Sequence, residues 1–173
     1  MEKARKLNLK EDVYFEIIRN KTASLLASAC ATGAWSTTFD TAITEKVRQF
    51  GEKVGIAFQI KDDLFDYGTD DIGKPTGNDI KEKKLTLPLI YTLNNVSSTE
   101  KREMIYTLKN ENRDTAKIKM LIQKVESTGG IAYAVEKMNA YRDEALQLLN
   151  TFPDNEVRHA LEQLVRYTTG RKY

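Results

Sequence analysis

Ile43, Val47, Phe50, Val54 and Phe58 recur every three or four positions, the spacing that lines one face of an α-helix. The stripe predicts a helix that begins after Asp40 and reaches about Asp66. Upstream, Asn8 followed by Glu11 has the form of a capping box, and a first helix is expected to run from there through Ile17, Ile18 and Leu25 towards Gly33. The uncharged stretch from Thr22 to Phe39 carries hydroxyls at Thr22, Ser24, Ser28, Thr32, Ser36, Thr37 and Thr38. That content fits a buried core helix better than a membrane span, and its small residues let a neighbour approach closely.

Between Tyr67 and Ile80 the pattern breaks into Gly, Asp, Asn, Thr and Pro, residues that supply turns and local hydrogen bonds. A loop of about fourteen residues is expected there, mobile until a ligand orders it, and loops of that length in compact domains usually serve a function. Helical signals then resume. Pro88 falls in the first turn of a helix starting near Thr86, Ser97 with Glu100 forms another capping box, Gly129-Gly130 separates two amphipathic segments, Pro153-Asp154-Asn155 opens the last helix, and Gly170 closes it.

Composition agrees with this all-α pattern. The chain has 173 residues, 40% of them hydrophobic, with only three prolines and nine glycines. It shows no repeat, low-complexity tract or linker, so residues 1–173 read as one helical domain around one core. Lys and Arg exceed Asp and Glu by only 27 − 25 = 2, and the basic residues are spread along the chain, which argues against nucleic acid as a partner. A lone cysteine, Cys30, excludes an intrachain disulfide and fits a reducing compartment, the cytoplasm. With a single histidine, His159, no zinc centre or Ser/His/Asp triad can be assembled. The charged opening, Met1 to Asp12, lacks the apolar run of a secretion signal.

The candidate chemistry lies at the end of the striped helix. Gln59, Asp62, Asp63 and Asp66 stand at i, i+3, i+4 and i+7, one face over two turns if the helix continues. Like charges so spaced repel, and acids near a helix C-terminus oppose its dipole. A divalent cation removes that conflict, and Mg²⁺ in particular binds through one or two carboxylates plus phosphate oxygens and waters. Lys74, Lys81, Lys83 and Lys84 follow across the turn-rich segment. Acids and ammonium groups together point to a metal-bridged oligophosphate, with Lys74 and Lys84 the candidate phosphate ligands. Lys21-Thr22, just before the uncharged helix, is a second basic element.

The ordered set Phe58-Gln59, Asp62-Asp63-Leu64-Phe65-Asp66, Gly73-Lys74, Gly77, Asp79 and Lys84-Leu85-Thr86-Leu87-Pro88 resembles the second aspartate-rich region of the trans-type polyprenyl diphosphate synthases. Lys21-Thr22-Ala23 with Gly33-Ala34, and Gly129-Gly130-Ile131 with Ala134, resemble flanking segments of that family, so the likeness covers nearly the whole chain. It implies an isoprenoid-synthase-type helical bundle, of which this chain is the C-terminal part. The family's first aspartate motif and paired arginines have no counterpart here. A second departure is Lys83, where the family usually has glycine.

The resemblance implies a transferase that condenses isopentenyl diphosphate with an allylic diphosphate with the help of Mg²⁺, in isoprenoid biosynthesis. Asp62, Asp63 and Asp66 would hold the metal. Lys21, Thr22 and Gln59 would form the catalytic set, with Lys21 on the diphosphate and Thr22 and Gln59 near the cation or leaving group. Lys74, Lys84 and Arg171 would bind substrate. A homodimer is implied, and the fragment alone is expected to be inactive. Two other readings keep the helices and drop the catalysis: a non-catalytic subunit of a prenyl synthase, and a helical interaction domain whose acidic cluster faces solvent.

Overall fold

The computed structural model describes residues 10–68 and 77–171. Within them the chain forms helices α1 (Glu11–Ile18), α2 (Ser24–Thr38), α3 (Thr41–Leu64), α4 (Asn78–Lys81), α5 (Leu87–Asn95), α6 (Ser98–Asn110), α7 (Thr115–Ser127), α8 (Gly130–Leu149) and α9 (Glu156–Gly170), and no strand. A π-helical turn, Arg19–Ala23, joins α1 to α2, and a 3₁₀ turn, Phe65–Tyr67, ends α3. The all-α expectation is met.

Most helix ends follow from the side chains beside them. Asp40 accepts from the backbone N–H groups of Ala42 and Ile43 at 2.7 and 3.1 Å, satisfying donors that the first turn of α3 leaves open. Ser97 and Glu100 form the expected capping box on α6. Pro88 sits in the first turn of α5, where its missing N–H costs nothing. Asn155 caps α9, and Gly129, at φ 83°, turns the chain between α7 and α8. The Asn8 cap lies outside the described residues. Of the expected loop, residues 69–76 lie outside the described residues, and its far end, Asn78–Lys81, closes into the helical turn α4.

The described residues pack into two units: residues 10–14, 62–68 and 77–135, and residues 15–61 and 136–171. In the first, α5 packs on both α6 and α7. Leu87, Leu89 and Ile90 of α5, Leu108 of α6 and Val125 of α7 are almost wholly buried, each such side chain contributing about 1.5–3 kcal/mol.

In the second unit Phe50 and Val54 of α3, Ala145, Leu146 and Leu149 of α8 and Val165 of α9 share one core. There two glycines of α3 allow close approach: a Cβ on Gly55 would stand 2.6 Å from Ala23 Cα at the end of the π-helical turn, and one on Gly51 would stand 2.9 Å from the Leu26 carbonyl in α2. Contrary to the expected core helix, α2 buries only that side. Leu25 and Phe39 are 76% and 72% exposed, and Trp35 and Leu26 are exposed as well. The other side of this chargeless helix is largely exposed.

Candidate acidic site at the end of helix α3

Only two of the three aspartates lie on α3, which stops at Leu64, and Asp66 falls in the 3₁₀ turn beyond it. Each therefore has its own surroundings. Asp62 is exposed. Asp63, one residue on and about 100° further round the helix, is only 9% exposed and accepts a 2.7 Å hydrogen bond from the Tyr14 hydroxyl. Tyr14 is itself buried. Burial, with Asp63 next to it, pushes its phenol well above the usual value, so it remains a donor.

Asp66 folds back over the start of α4. Its carboxylate accepts from the backbone N–H groups of Asn78 at 2.7 Å and Asp79 at 3.1 Å, while its carbonyl accepts from Gly77 N–H at 3.0 Å. Gly77 takes φ 80°, which glycine adopts without strain. Partial burial, then the charge of Asp79, raise the Asp66 carboxyl to about 6, against the lowering effect of the backbone donors.

Lys84 is drawn to this corner by Asp79, at 3.2 Å, and is paired with Glu82 at 2.6 Å. Its half-exposed ammonium stays charged, and the Glu82 pair raises its pKa. The turn that delivers it is shaped by Lys83, which adopts φ 57° although it is not glycine. The missing glycine thus leaves the left-handed bend in place, and Lys83 Nζ donates to the Lys109 carbonyl at 2.6 Å. Tyr67 and Thr86 join their hydroxyls at 2.5 Å below this region.

The remaining candidates sit in the second unit or outside the described residues. Lys21 is exposed, and Lys21 and Thr22 both lie in the π-helical turn, a deviation found often at functional sites. Thr22 Oγ1 donates to Oε1 of the buried Gln59 at 2.9 Å, pairing two of the proposed catalytic side chains. The Arg171 guanidinium stacks over the Phe58 ring at 4.7 Å. Lys74 lies outside the described residues.

Among the described residues no three of His, Cys, Asp and Glu are grouped so as to hold a metal ion. Of the three aspartates named as metal ligands, Asp63 bonds Tyr14 and Asp66 bonds the start of α4. Mg²⁺ needs less: an exposed carboxylate such as Asp62, an oxygen or two from its neighbours, waters and phosphate oxygens match its hard donor set. Tyr14 and the linking role of Asp79 were not singled out by the sequence. Tyr14 lies 49 residues from Asp63, and its only signal was a hydroxyl-bearing ring among the core positions of α1.

Comparisons with known proteins agree with this geometry. Residues 1–125 match the Polyprenyl synthetase family. The chain is 35% identical to heptaprenyl diphosphate synthase component 2 of Geobacillus stearothermophilus, over 92% of this chain and 49% of that protein. Its fold is similar to geranylgeranyl pyrophosphate synthase from Bacteroides thetaiotaomicron, with TM-score 0.86 and 39% identity, covering 94% of this chain and 54% of that one. It is equally close to polyprenyl synthase from Caulobacter crescentus CB15 complexed with calcium and isoprenyl diphosphate, with TM-score 0.87 and 34% identity, covering 98% and 52%. The chain thus spans about half the length of the curated relatives it matches. No helix among the described residues is long and apolar enough to cross a membrane. By sequence match and fold alike, the chain belongs to the polyprenyl synthetase family.

Proposed function

We propose that this chain carries the second diphosphate-binding half of a trans-prenyltransferase, which condenses isopentenyl diphosphate with an allylic diphosphate in isoprenoid biosynthesis. The observation that carries the reading is the corner of the first unit where Asp62 is exposed at the end of α3 and where Asp66 reaches Lys84 through Asp79. Acids and a paired ammonium so arranged suit a metal-bound diphosphate better than a bare solvated surface. The Caulobacter relative, named with calcium and an isoprenyl diphosphate, supports the same ligand chemistry.

In this reading Asp62 holds Mg²⁺, with Asp63 and Asp66 behind it. Bound there, Mg²⁺ supplies neutralisation of the charge that gathers on the departing diphosphate. Lys84, Lys74 and Lys21 are the diphosphate ligands of this reading, and Arg171 is its ligand for the second substrate. The allylic carbon–oxygen bond breaks, the double bond of isopentenyl diphosphate attacks the cation, and loss of a proton completes the condensation. Thr22 and Gln59 present a fixed polar pair near the cation or the leaving group, while apolar helices exclude water.

The missing half of the length supplies the rest of the domain. The uncharged, exposed side of α2 is the surface it would cover, in a cytoplasmic enzyme that pairs with a second copy. The Geobacillus relative is named as one component of its enzyme, which favours assembly with another polypeptide.

Calorimetric titration of the chain with inorganic pyrophosphate tests the site. Binding is expected in Mg²⁺ and not in EDTA, and Asp62→Ala should weaken it by about tenfold or more. The melting temperature should barely change, because Asp62 is exposed. Metal-independent binding, or an unaffected Asp62→Ala, would sink the reading and favour the solvent-facing interaction domain.

A further inference from the structure

We propose that Tyr14 is a positioning residue for the acidic site, its hydroxyl fixing Asp63 so that the carboxylates at the end of α3 are set before metal and diphosphate arrive. The inference rests on the reading of that site given above.

The geometry is specific. Tyr14 and Asp63 are 4% and 9% exposed, and the 2.7 Å bond between them joins α1 to the last turn of α3. Asp63 adjoins Asp62 in the chain, so whatever fixes the Asp63 side chain also fixes the last turn of helix from which Asp62 projects. A carboxylate already held by a charge-assisted bond loses little freedom when a neighbouring cation binds. Losing that donor takes a short charge-assisted bond from a buried acid and leaves its orientation less fixed. Partners lying behind metal ligands typically govern affinity by about 10- to 100-fold.

A buried tyrosine bonded to an acid can also serve folding alone, and the same unit holds a comparison. Tyr133 donates to both oxygens of Glu11, at 2.7 and 2.9 Å, and stacks on Tyr91. It is the same chemistry with none of the three aspartates as its acceptor. If tyrosine–carboxylate bonds here only stabilise, Tyr14→Phe and Tyr133→Phe should behave alike.

The test is calorimetric titration of the chain with inorganic pyrophosphate in Mg²⁺, beside a metal-free melt of each variant. Tyr14→Phe is expected to weaken binding by about tenfold, whereas Tyr133→Phe lowers the melting temperature and leaves affinity at the parent value. In an Asp63→Asn background, Tyr14→Phe should have no further effect on affinity, because Tyr14 acts through that carboxylate. If the single variant melts too low to titrate, the double variant carries the test, since it removes the buried charge together with its donor. It must then match Asp63→Asn. Parent affinity in Tyr14→Phe, or equal and additive losses in both backgrounds, overturns the proposal while leaving the Asp62 site standing. A parent chain that binds no Mg²⁺–pyrophosphate overturns the site, and the inference with it.

Discussion

The three aspartates share one motif and differ in almost everything else, because an aspartate's chemistry is set by what surrounds it. Asp66 is the clearest case. Its folded carboxyl, at about 6, lies above the usual 3.8, so the folded chain holds that proton more tightly than the unfolded chain does. Its contribution to stability is therefore full below about pH 3.8 and is lost as the pH rises through about 6. In metal-free buffer, the stability of the parent relative to Asp66→Asn should fall by on the order of 1 to 2 kcal/mol between about pH 4 and pH 6.5. The full linkage value is reduced by solvent screening of this half-buried group. Urea melts across that range provide the measurement, and a flat difference between the two proteins would contradict the assignment of cause. What the sequence could show of this site was its excess of like charge. It could not show that α3 ends two residues before Asp66, because the i, i+4, i+7 spacing presumes the helix continues. Nor could it show Tyr14, which reaches Asp63 only once the chain has folded.

At the scale of elements, helix ends were legible wherever a side chain encodes them. Asp40, Ser97 with Glu100, Pro88 and Asn155 all stop or start helices as their capping chemistry requires. The π-helical turn at Arg19–Ala23 carries no such marker and was read through as ordinary helix. α2 was legible as a core helix from its lack of charge, yet it is buried on one side only. Close approach begins in the turn just before it: an alanine at Gly55 would drive its Cβ to 2.6 Å from Ala23 Cα, backbone that cannot swing aside. Gly55→Ala should cost about 1–3 kcal/mol. At Gly33, where nothing lies within 4 Å, the same change should stabilise the isolated chain by roughly 0.5–1 kcal/mol through helix propensity. Denaturant melts of the two variants check both signs. A neutral Gly55→Ala would mean that the π-helical turn leading into α2 does not pack on α3 as described.

For the whole molecule, the main fact is length. The chain spans about half of its curated relatives and carries one aspartate cluster with its lysines. Ionising an allylic diphosphate needs enough positive charge around the leaving group to offset the charge that develops there. The second substrate must also be held in line, which proximity alone makes worth many orders of magnitude in rate. On the proposed reading, one side of such a cage would bind diphosphate without completing the reaction. The most direct measurement is to incubate this 173-residue chain with Mg²⁺, labelled isopentenyl diphosphate and geranyl or farnesyl diphosphate. Alongside it runs the same chain fused behind the N-terminal half of the Geobacillus relative. The account predicts no longer prenyl diphosphate from the chain alone and enzyme-dependent product from the fusion. Product from the chain alone, or a folded fusion that binds Mg²⁺–pyrophosphate yet makes none, would contradict it.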